Sequence, residues 1–82
     1  MHKVNWKKSV FKDLKKIKVD LQDKLVGKIE EDLSKNATHG EKLHGKFEGL
    51  YRRRIWDYRV NYTITPQGVL VLRVRHRKNG YK

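Results

Sequence analysis

The sequence feature that most constrains the fold is the stretch from Gly49 to Tyr62, GLYRRRIWDYRVNY. It reads as two short strands joined through Trp56 and Asp57, and it carries four of the seven arginines. Side chains alternate between the two faces of a strand. Here the alternation separates apolar from basic residues, so the stretch predicts an antiparallel hairpin with one apolar face and one basic face.

The alternation assigns individual residues to the two faces of this hairpin. Arg52 and Arg54 fall on the outer face of the first strand, and Arg59 joins them from the second strand. The predicted inner faces carry Tyr51, Arg53 and Ile55 in the first strand and Tyr58, Val60 and Tyr62 in the second. A third strand, from Val69, is predicted to place Leu70, Leu72 and Val74 against Arg73, Arg75 and Arg77. The result would be a small sheet with an arginine face suited to a polyanion.

The N-terminal half predicts a strand and a helical hairpin. Lys3 to Trp6 is a candidate strand, and Ser9 is a candidate N-cap for a helix with apolar residues at Phe11, Leu14 and Ile17. Asp20 is a candidate cap for a second helix ending near Asn36. Its apolar residues are Leu21, Leu25, Val26, Ile29 and Leu33. The polar segment 36–46 reads as a loop, and strands are predicted at 49–56, 58–63 and 69–75.

The predicted order βααβββ indicates an α+β fold, with a helical hairpin on one face of a small, mostly antiparallel sheet. A chain of 82 residues has room for one modest core, so residues 1–82 are predicted to form a single domain. No apolar run reaches the ~18 residues of a membrane span, and no apolar leader is recognisable, so we expect a cytoplasmic protein that binds no membrane.

Charge and residue chemistry narrow the classes of function. The formal net charge is +12, and the second half alone holds eleven basic residues against two acidic ones. All seven arginines lie between Arg52 and Arg77. Because guanidinium groups bind phosphate bidentately and stack on bases, nucleic acid or an acidic protein is the expected partner. There is no cysteine, and the four histidines lack the spacing of a metal pair, so we expect neither a metal nor another cofactor.

Four spaced motifs in the second half resemble the RelE/ParE superfamily of bacterial and archaeal toxins. They are Leu43-x-Gly45, Gly49-Leu50-Tyr51-Arg52-x-Arg54, Asp57-Tyr58-Arg59-Val60-x-Tyr62 and Val74-x-His76-Arg77-Lys78-x-x-Tyr81. The resemblance implies a RelE-like fold over the whole chain. RelE-like members are ribosome-dependent endoribonucleases that cut mRNA in the A site, whereas ParE-like members poison DNA gyrase.

The resemblance also implies roles for individual residues. Arg52 and Arg54 match a basic pair that contacts the scissile nucleotide and helps to activate its 2′-OH. Arg59 matches the arginine that stabilises the phosphorane, and Arg77 the one that assists the departing 5′-oxygen. Tyr81 matches a tyrosine that stacks on a base. The further residues predicted to contact RNA are Arg53, Arg73, Arg75 and Lys78.

The acid–base chemistry is the open point of this prediction. Cleavage without a metal needs a base near the 2′-OH and a proton for the leaving oxygen. Arginine, with a pKa above ~12, is a poor base. His76 is the candidate on this surface that titrates near neutrality, with a plain surface residue as the alternative. Asp57 is predicted to be a turn residue or an arginine partner, and Trp56 either stacks on bases or packs at a sheet edge.

Three hypotheses follow for function. The first is a metal-independent mRNA endoribonuclease toxin that acts on the ribosome and is neutralised by a cognate antitoxin in a hetero-oligomeric complex. The second is a ParE-like inhibitor of DNA gyrase. The third is an RNA- or ribosome-binding module that does not cleave, for which salt-sensitive binding of intact RNA would be the signature.

Overall fold

The secondary structure follows the predicted order, with one short strand added. The structure, a computed structural model, describes residues 2–76, except for the side chain of Phe47. The helices are α1 (Val10–Leu14) and α2 (Val19–Asn36). The strands are β1 (Val4–Trp6), β2 (Glu41–Lys42), β3 (Leu50–Ile55), β4 (Tyr58–Thr65) and β5 (Gly68–His76). The predicted loop 36–46 thus contains β2 and, on either side of it, the short 3-10 segments Ala37–His39 and Gly45–Phe47.

Within the described residues the strands form a single sheet in the order β1-β5-β4-β3-β2. β1 runs parallel to β5, and every other neighbouring pair is antiparallel. β1 and β5 can run parallel because they are not joined by a tight turn. After β1 the chain passes through α1 and α2 before it enters the antiparallel strands β2 to β5. The α+β fold predicted from the sequence, with a helical hairpin on a mostly antiparallel sheet, is confirmed.

The core lies between the helices and one face of the sheet. The α2 positions Leu25, Ile29 and Leu33 are fully buried, as their four-residue spacing predicted. The β4 residues Tyr58, Val60 and Tyr62 meet them from the sheet in the same apolar cluster. No helix among residues 2–76 is long and apolar enough to cross a membrane.

The first helix is shorter than predicted, and its apolar face is rotated. Val10 and Leu14 are buried, whereas Phe11 is 52% exposed, so the prediction that Phe11 enters the core is wrong. Ser9 makes no side-chain capping hydrogen bond. In α2, Lys18 is the N-cap residue and Asp20 lies inside the first turn, so Asp20 does not cap that helix.

A β-bulge changes the faces of β5. Asn61 pairs with Arg73 and Tyr62 pairs with Val71, which leaves Leu72 as an extra residue on β5. Because of this extra residue, Val69, Val71 and Val74 lie in the core, whereas the sequence predicted Leu70, Leu72 and Val74 there. Leu70 and Leu72 are only half-buried. The bulge also decides on which side the β5 arginines lie.

Candidate nucleic-acid interface

The outer face of the sheet carries arginines side by side on three adjacent strands. Arg54 on β3 pairs with Arg59 on β4, and Arg59 pairs with Arg75 on β5. Each is flanked along its strand by a core residue, so the arginines lie on the face away from the helices. Adjacent strands lie about 4.8 Å apart, so this arginine row (Arg54, Arg59 and Arg75) spans about 10 Å of sheet. The prediction that Arg54 and Arg59 share the outer face is confirmed.

Like charges directly opposite one another destabilise a sheet. The side chain of Arg54 is 56% exposed, Arg59 is half-buried and Arg75 is exposed. Packing of the core does not require cations at these positions, since they lie on the opposite face. The arginine row therefore has the charge and the donor groups to bind an anion with several negatively charged oxygens.

Two acidic residues orient the arginines of β3. Arg52, next to the row on the same face, donates a hydrogen bond to Glu41 on β2 at 2.9 Å. Nε of Arg54 donates to the Trp56 carbonyl at 3.0 Å, and its Nη2 lies 3.6 Å from the Asp57 carboxylate. Asp57 is therefore both a turn residue and an arginine partner, as the sequence predicted. These exposed pairs hold the guanidinium groups without neutralising the face.

Arg53 lies on the opposite side of the sheet from the arginine row. Its guanidinium forms a two-point ion pair with Asp32 on α2. Both side chains are mostly buried, with 27% of Arg53 and 17% of Asp32 exposed. The strand alternation placed Arg53 on the inner face correctly, and the ion pair explains how its charge is accommodated there. The structure does not bring Arg53 together with the other predicted RNA-contacting residues.

Arg73 is also held away from the row, in this case by a buried carboxylate. Arg73 reaches α1, where it donates hydrogen bonds of 3.0 and 3.2 Å to the two oxygens of Asp13. The backbone N–H of Val74 donates to the same carboxylate at 3.1 Å. Arg73 shares the strand alternation of Arg75, as predicted, but its ion pair with Asp13 draws the guanidinium away from the row.

The Asp13 carboxylate is only 7% exposed. Burial pushes its pKa upward, but the hydrogen bonds from Arg73 and Val74 and the positive charges of Arg73 and Arg75 outweigh burial. The net result is a pKa below the ordinary value of 3.8. Asp13 is thus ionised at neutral pH and serves as the anchor of α1 on the end of β5.

His76 lies on the helix side of β5 and not on the arginine face. It pairs with Tyr58, and the two rings meet edge to face with centroids 5.1 Å apart. The prediction that His76 shares the arginine surface is wrong, because His76 alternates with Arg75 along the strand. His76 instead lines a cavity of about 420 Å³ at the end of the sheet, together with Asp13, Lys16 and Tyr58.

Three predicted site residues, Arg77, Lys78 and Tyr81, lie outside the described residues. Among residues 2–76 no group of three or more histidine or acidic side chains is placed to hold a metal ion. The structure therefore assembles Arg52, Arg54, Arg59 and Arg75 on one surface.

Sequence reasoning missed the two carboxylates that pair with Arg53 and Arg73. Asp13 stands in a lysine-rich helix and Asp32 in the acidic run 30–32, so both read as solvated residues. A signal was present for Asp13. It lies three residues after Val10 and one before Leu14, on the buried side of a short amphipathic helix. A carboxylate at such a position requires a cationic partner.

Comparison with known proteins identifies the family. A family model described as "ParE toxin of type II toxin-antitoxin system, parDE" matches residues 4–81, nearly the whole chain. The chain belongs to this toxin family. As a ParE-family toxin it lies within the RelE/ParE superfamily, which the spaced motifs of the second half indicated. A search of curated proteins gave no significant match.

Solved structures of toxin–antitoxin complexes are similar to the ParE-family toxin over almost its entire length. In the RelBE2 complex from Mycobacterium tuberculosis, a chain with 28% identity superposes with a TM-score of 0.80, covering 93% of this chain and 98% of that one. A chain of the RelB–RelE complex from Methanococcus jannaschii has 24% identity and a TM-score of 0.65, with 95% of each chain covered. A chain of the YoeB–YefM complex from Staphylococcus aureus has 22% identity and a TM-score of 0.66, with 93% and 97% covered. The last two show likeness of fold.

Proposed function

We propose that this ParE-family toxin is a metal-independent endoribonuclease that cuts mRNA on the ribosome, in the cytoplasm, and that a cognate antitoxin neutralises it. The observation that carries this proposal is the arginine row, with Arg52 beside it. Several guanidinium groups on the open face of a sheet form a surface that matches the charge and the bidentate geometry of phosphodiesters.

The proposed reaction begins with attack of a ribose 2′-OH on the adjacent phosphorus. The P–O5′ bond then breaks, leaving a 2′,3′-cyclic phosphate and a 5′-hydroxyl. Negative charge grows on the phosphoryl oxygens in the transition state, and the arginine row stabilises this charge. Preorganised donors of this kind are worth about 3 kcal/mol each, or roughly a hundredfold in rate.

Two proton transfers complete the reaction, and the arginine row is poorly suited to them. Among the described residues, the outer face of β3, β4 and β5 holds no histidine. The proposal therefore assigns charge stabilisation to the row. It assigns the proton transfers to the segment that follows β5, where the resemblance implies that Arg77 assists the departing 5′-oxygen.

The proposed antitoxin is a small protein with an acidic segment that orders on binding. The similar solved structures are toxin–antitoxin complexes, which supports such a partner. The net charge of +12 and the arginine row offer it a complementary surface. Neutralisation by covering the row would explain how one surface serves both RNA and antitoxin.

The test is primer extension on an mRNA translated in a cell-free system, with and without ribosomes. We compare wild type with Arg59→Gln, which shortens the row, and with Lys28→Gln, which removes one exposed charge from α2 on the other side of the sheet. We expect ribosome-dependent new 5′ ends, about a hundredfold fewer for Arg59→Gln, and wild-type cleavage for Lys28→Gln. EDTA should leave cleavage unchanged. Equal activity of the two variants would contradict the role of the row.

The match to a ParE family model supports a second candidate, inhibition of DNA gyrase, which the resemblance assigns to ParE-like members. A supercoiling assay with purified gyrase separates the two functions. If the protein arrests gyrase while translated mRNA stays intact, the gyrase hypothesis is correct. The arginine row would then be a protein-binding surface, and Arg59→Gln should relieve inhibition of gyrase.

A further inference from the structure

The turn between β3 and β4 places a tryptophan where the backbone disfavours one. Ile55 pairs with Tyr58, so Trp56 and Asp57 form a two-residue hairpin loop. Trp56 has φ +56°, and among the described residues it is the only non-glycine with positive φ. A two-residue hairpin with positive φ at its first central residue normally has glycine there. A bulky side chain with positive φ is a genuine outlier.

Packing does not account for this choice of residue. Trp56 is 47% exposed, so nearly half of its surface lies outside the fold. The turn itself would be satisfied by glycine or asparagine, which adopt positive φ readily. Residues held in an unfavourable backbone conformation occur often at functional sites.

The same turn adjoins the arginine row. The Trp56 carbonyl accepts a hydrogen bond from Nε of Arg54 at 3.0 Å, so the turn backbone fixes one guanidinium of the row. Arg54 and Arg59 are the last outward-facing residues before and after the turn. Trp56 therefore lies beside the Arg54–Arg59 end of the row, and an aromatic residue beside a cationic track is the usual arrangement of single-strand binding surfaces.

We propose that Trp56 is a stacking platform for one nucleobase of an RNA strand whose phosphates lie on the arginine row. This inference rests on the RNA substrate proposed above and adds the residue that contacts a base. Every base has a flat π face, so the platform tolerates any sequence and provides affinity and orientation. Stacking of one base on an aromatic side chain typically strengthens binding about tenfold.

The experiment measures binding of two fluorescently labelled oligonucleotides of equal length by anisotropy. One is single-stranded RNA, with its 2′-hydroxyls methylated to prevent cleavage. The other has the same backbone with an abasic residue at every position, so it keeps the phosphates and lacks bases. The variants are Trp56→Asn, which suits the turn, and Phe11→Gln, which removes an equally exposed aromatic side chain from α1.

We expect wild type and Phe11→Gln to bind the base-bearing oligonucleotide at least tenfold more tightly than the abasic one. Trp56→Asn should show a preference about tenfold smaller and bind the abasic strand as wild type does. Its melting temperature should be equal to or above that of wild type, because the turn strain is relieved. Arg59→Gln should weaken binding of both strands, which tests the row separately.

Four results would overturn the inference. The full wild-type preference retained by Trp56→Asn would exclude stacking on the indole, and a marked fall in its melting temperature would make Trp56 a packing residue. Loss of antitoxin binding by Trp56→Asn, with the base preference unchanged, would assign the indole to the protein partner. Failure of wild type to bind either strand would overturn this inference, while the primer-extension assay decides on the proposed function separately.

Discussion

Replacing Asp13 should destabilise the protein more than replacing any exposed acidic residue. Its carboxylate accepts three hydrogen bonds, two from the Arg73 guanidinium and one from the Val74 N–H. Asp13→Ala removes all three and leaves the Val74 N–H without its partner. Asp13→Asn keeps an acceptor for that N–H but removes the charge. The two variants together separate the backbone contact from the ion pair.

The expected loss of stability in Asp13→Ala depends on how exposed the two charged side chains, Asp13 and Arg73, are. Breaking a buried ion pair costs about 3–5 kcal/mol when one charge is left uncompensated. Arg73 is 44% exposed and can hydrate after the loss of Asp13, so we expect the lower end of this range, about 3 kcal/mol. A domain of this size is stable by about 4–12 kcal/mol. The melting temperature of Asp13→Ala should therefore fall by about 12–24 °C.

The assay is thermal unfolding at neutral pH, followed by circular dichroism. Glu41→Gln is the matched control, because it also breaks a single arginine pair, but one in which 65% of the glutamate is exposed. Exposed pairs of this kind contribute less than ~1 kcal/mol. If Asp13→Ala melted within a few degrees of Glu41→Gln, the account of Asp13 as the anchor of α1 would be refuted.

The pH dependence provides a second check on Asp13. Its pKa in the folded protein is lowered below the ordinary 3.8, so its ionised form stabilises the fold. That stabilisation is fully present above the unfolded-state pKa near 3.8 and is lost as pH falls through the lower folded-state value. The stability gap between wild type and Asp13→Asn should be constant from about pH 7 to 5 and shrink below about pH 4. A gap unchanged at pH 2 would contradict this assignment.

Two further substitutions test the helices and their contact with the sheet. Gly27→Ala should raise the free energy of unfolding by up to ~1 kcal/mol, because Gly27 lies within α2 and an added Cβ would meet no atom within 4 Å. Urea titration checks this, and a destabilised variant would show that α2 is misplaced. Tyr62→Phe should cost about 2 kcal/mol, since the Tyr62 hydroxyl donates to the buried Ala37 carbonyl at 2.7 Å. Unchanged unfolding of Tyr62→Phe in urea would exclude that hydrogen bond.

Long periodic segments were predictable from the sequence because periodicity records which side is buried. Leu25, Ile29 and Leu33 identified the inner face of α2, and Tyr58, Val60 and Tyr62 that of β4. The outward direction of Arg52, Arg54 and Arg59 follows from the same alternation. The motifs of the second half correctly indicated the superfamily. These features were predictable because apolar core residues recur in the sequence at the period of the helix or strand that carries them.

The parts that failed depend on interactions between distant segments. The bulge at Leu72 is set by the pairing of β5 with β4, and a period of two gives no sign of an extra residue. It reversed the predicted faces of β5 before the bulge, so that Val69 and Val71 enter the core in place of Leu70 and Leu72. His76 was assigned to the arginine face because it adjoins Arg75 and Arg77 in sequence, whereas adjacent residues of a strand face opposite ways. The partners Asp13 and Asp32 lie 60 and 21 residues from their arginines.

The contact between Asp13 and the Val74 N–H has a consequence for assembly. β1 ends at Trp6, opposite Val71, and no strand within residues 2–76 covers the outer edge of β5 from there onward. The Asp13 carboxylate occupies the N–H that an added strand would use. Another chain can extend the sheet at this point only by displacing a buried, ionised side chain together with its arginine. The ion pair thereby opposes β-augmentation and edge-to-edge aggregation at this point of the edge.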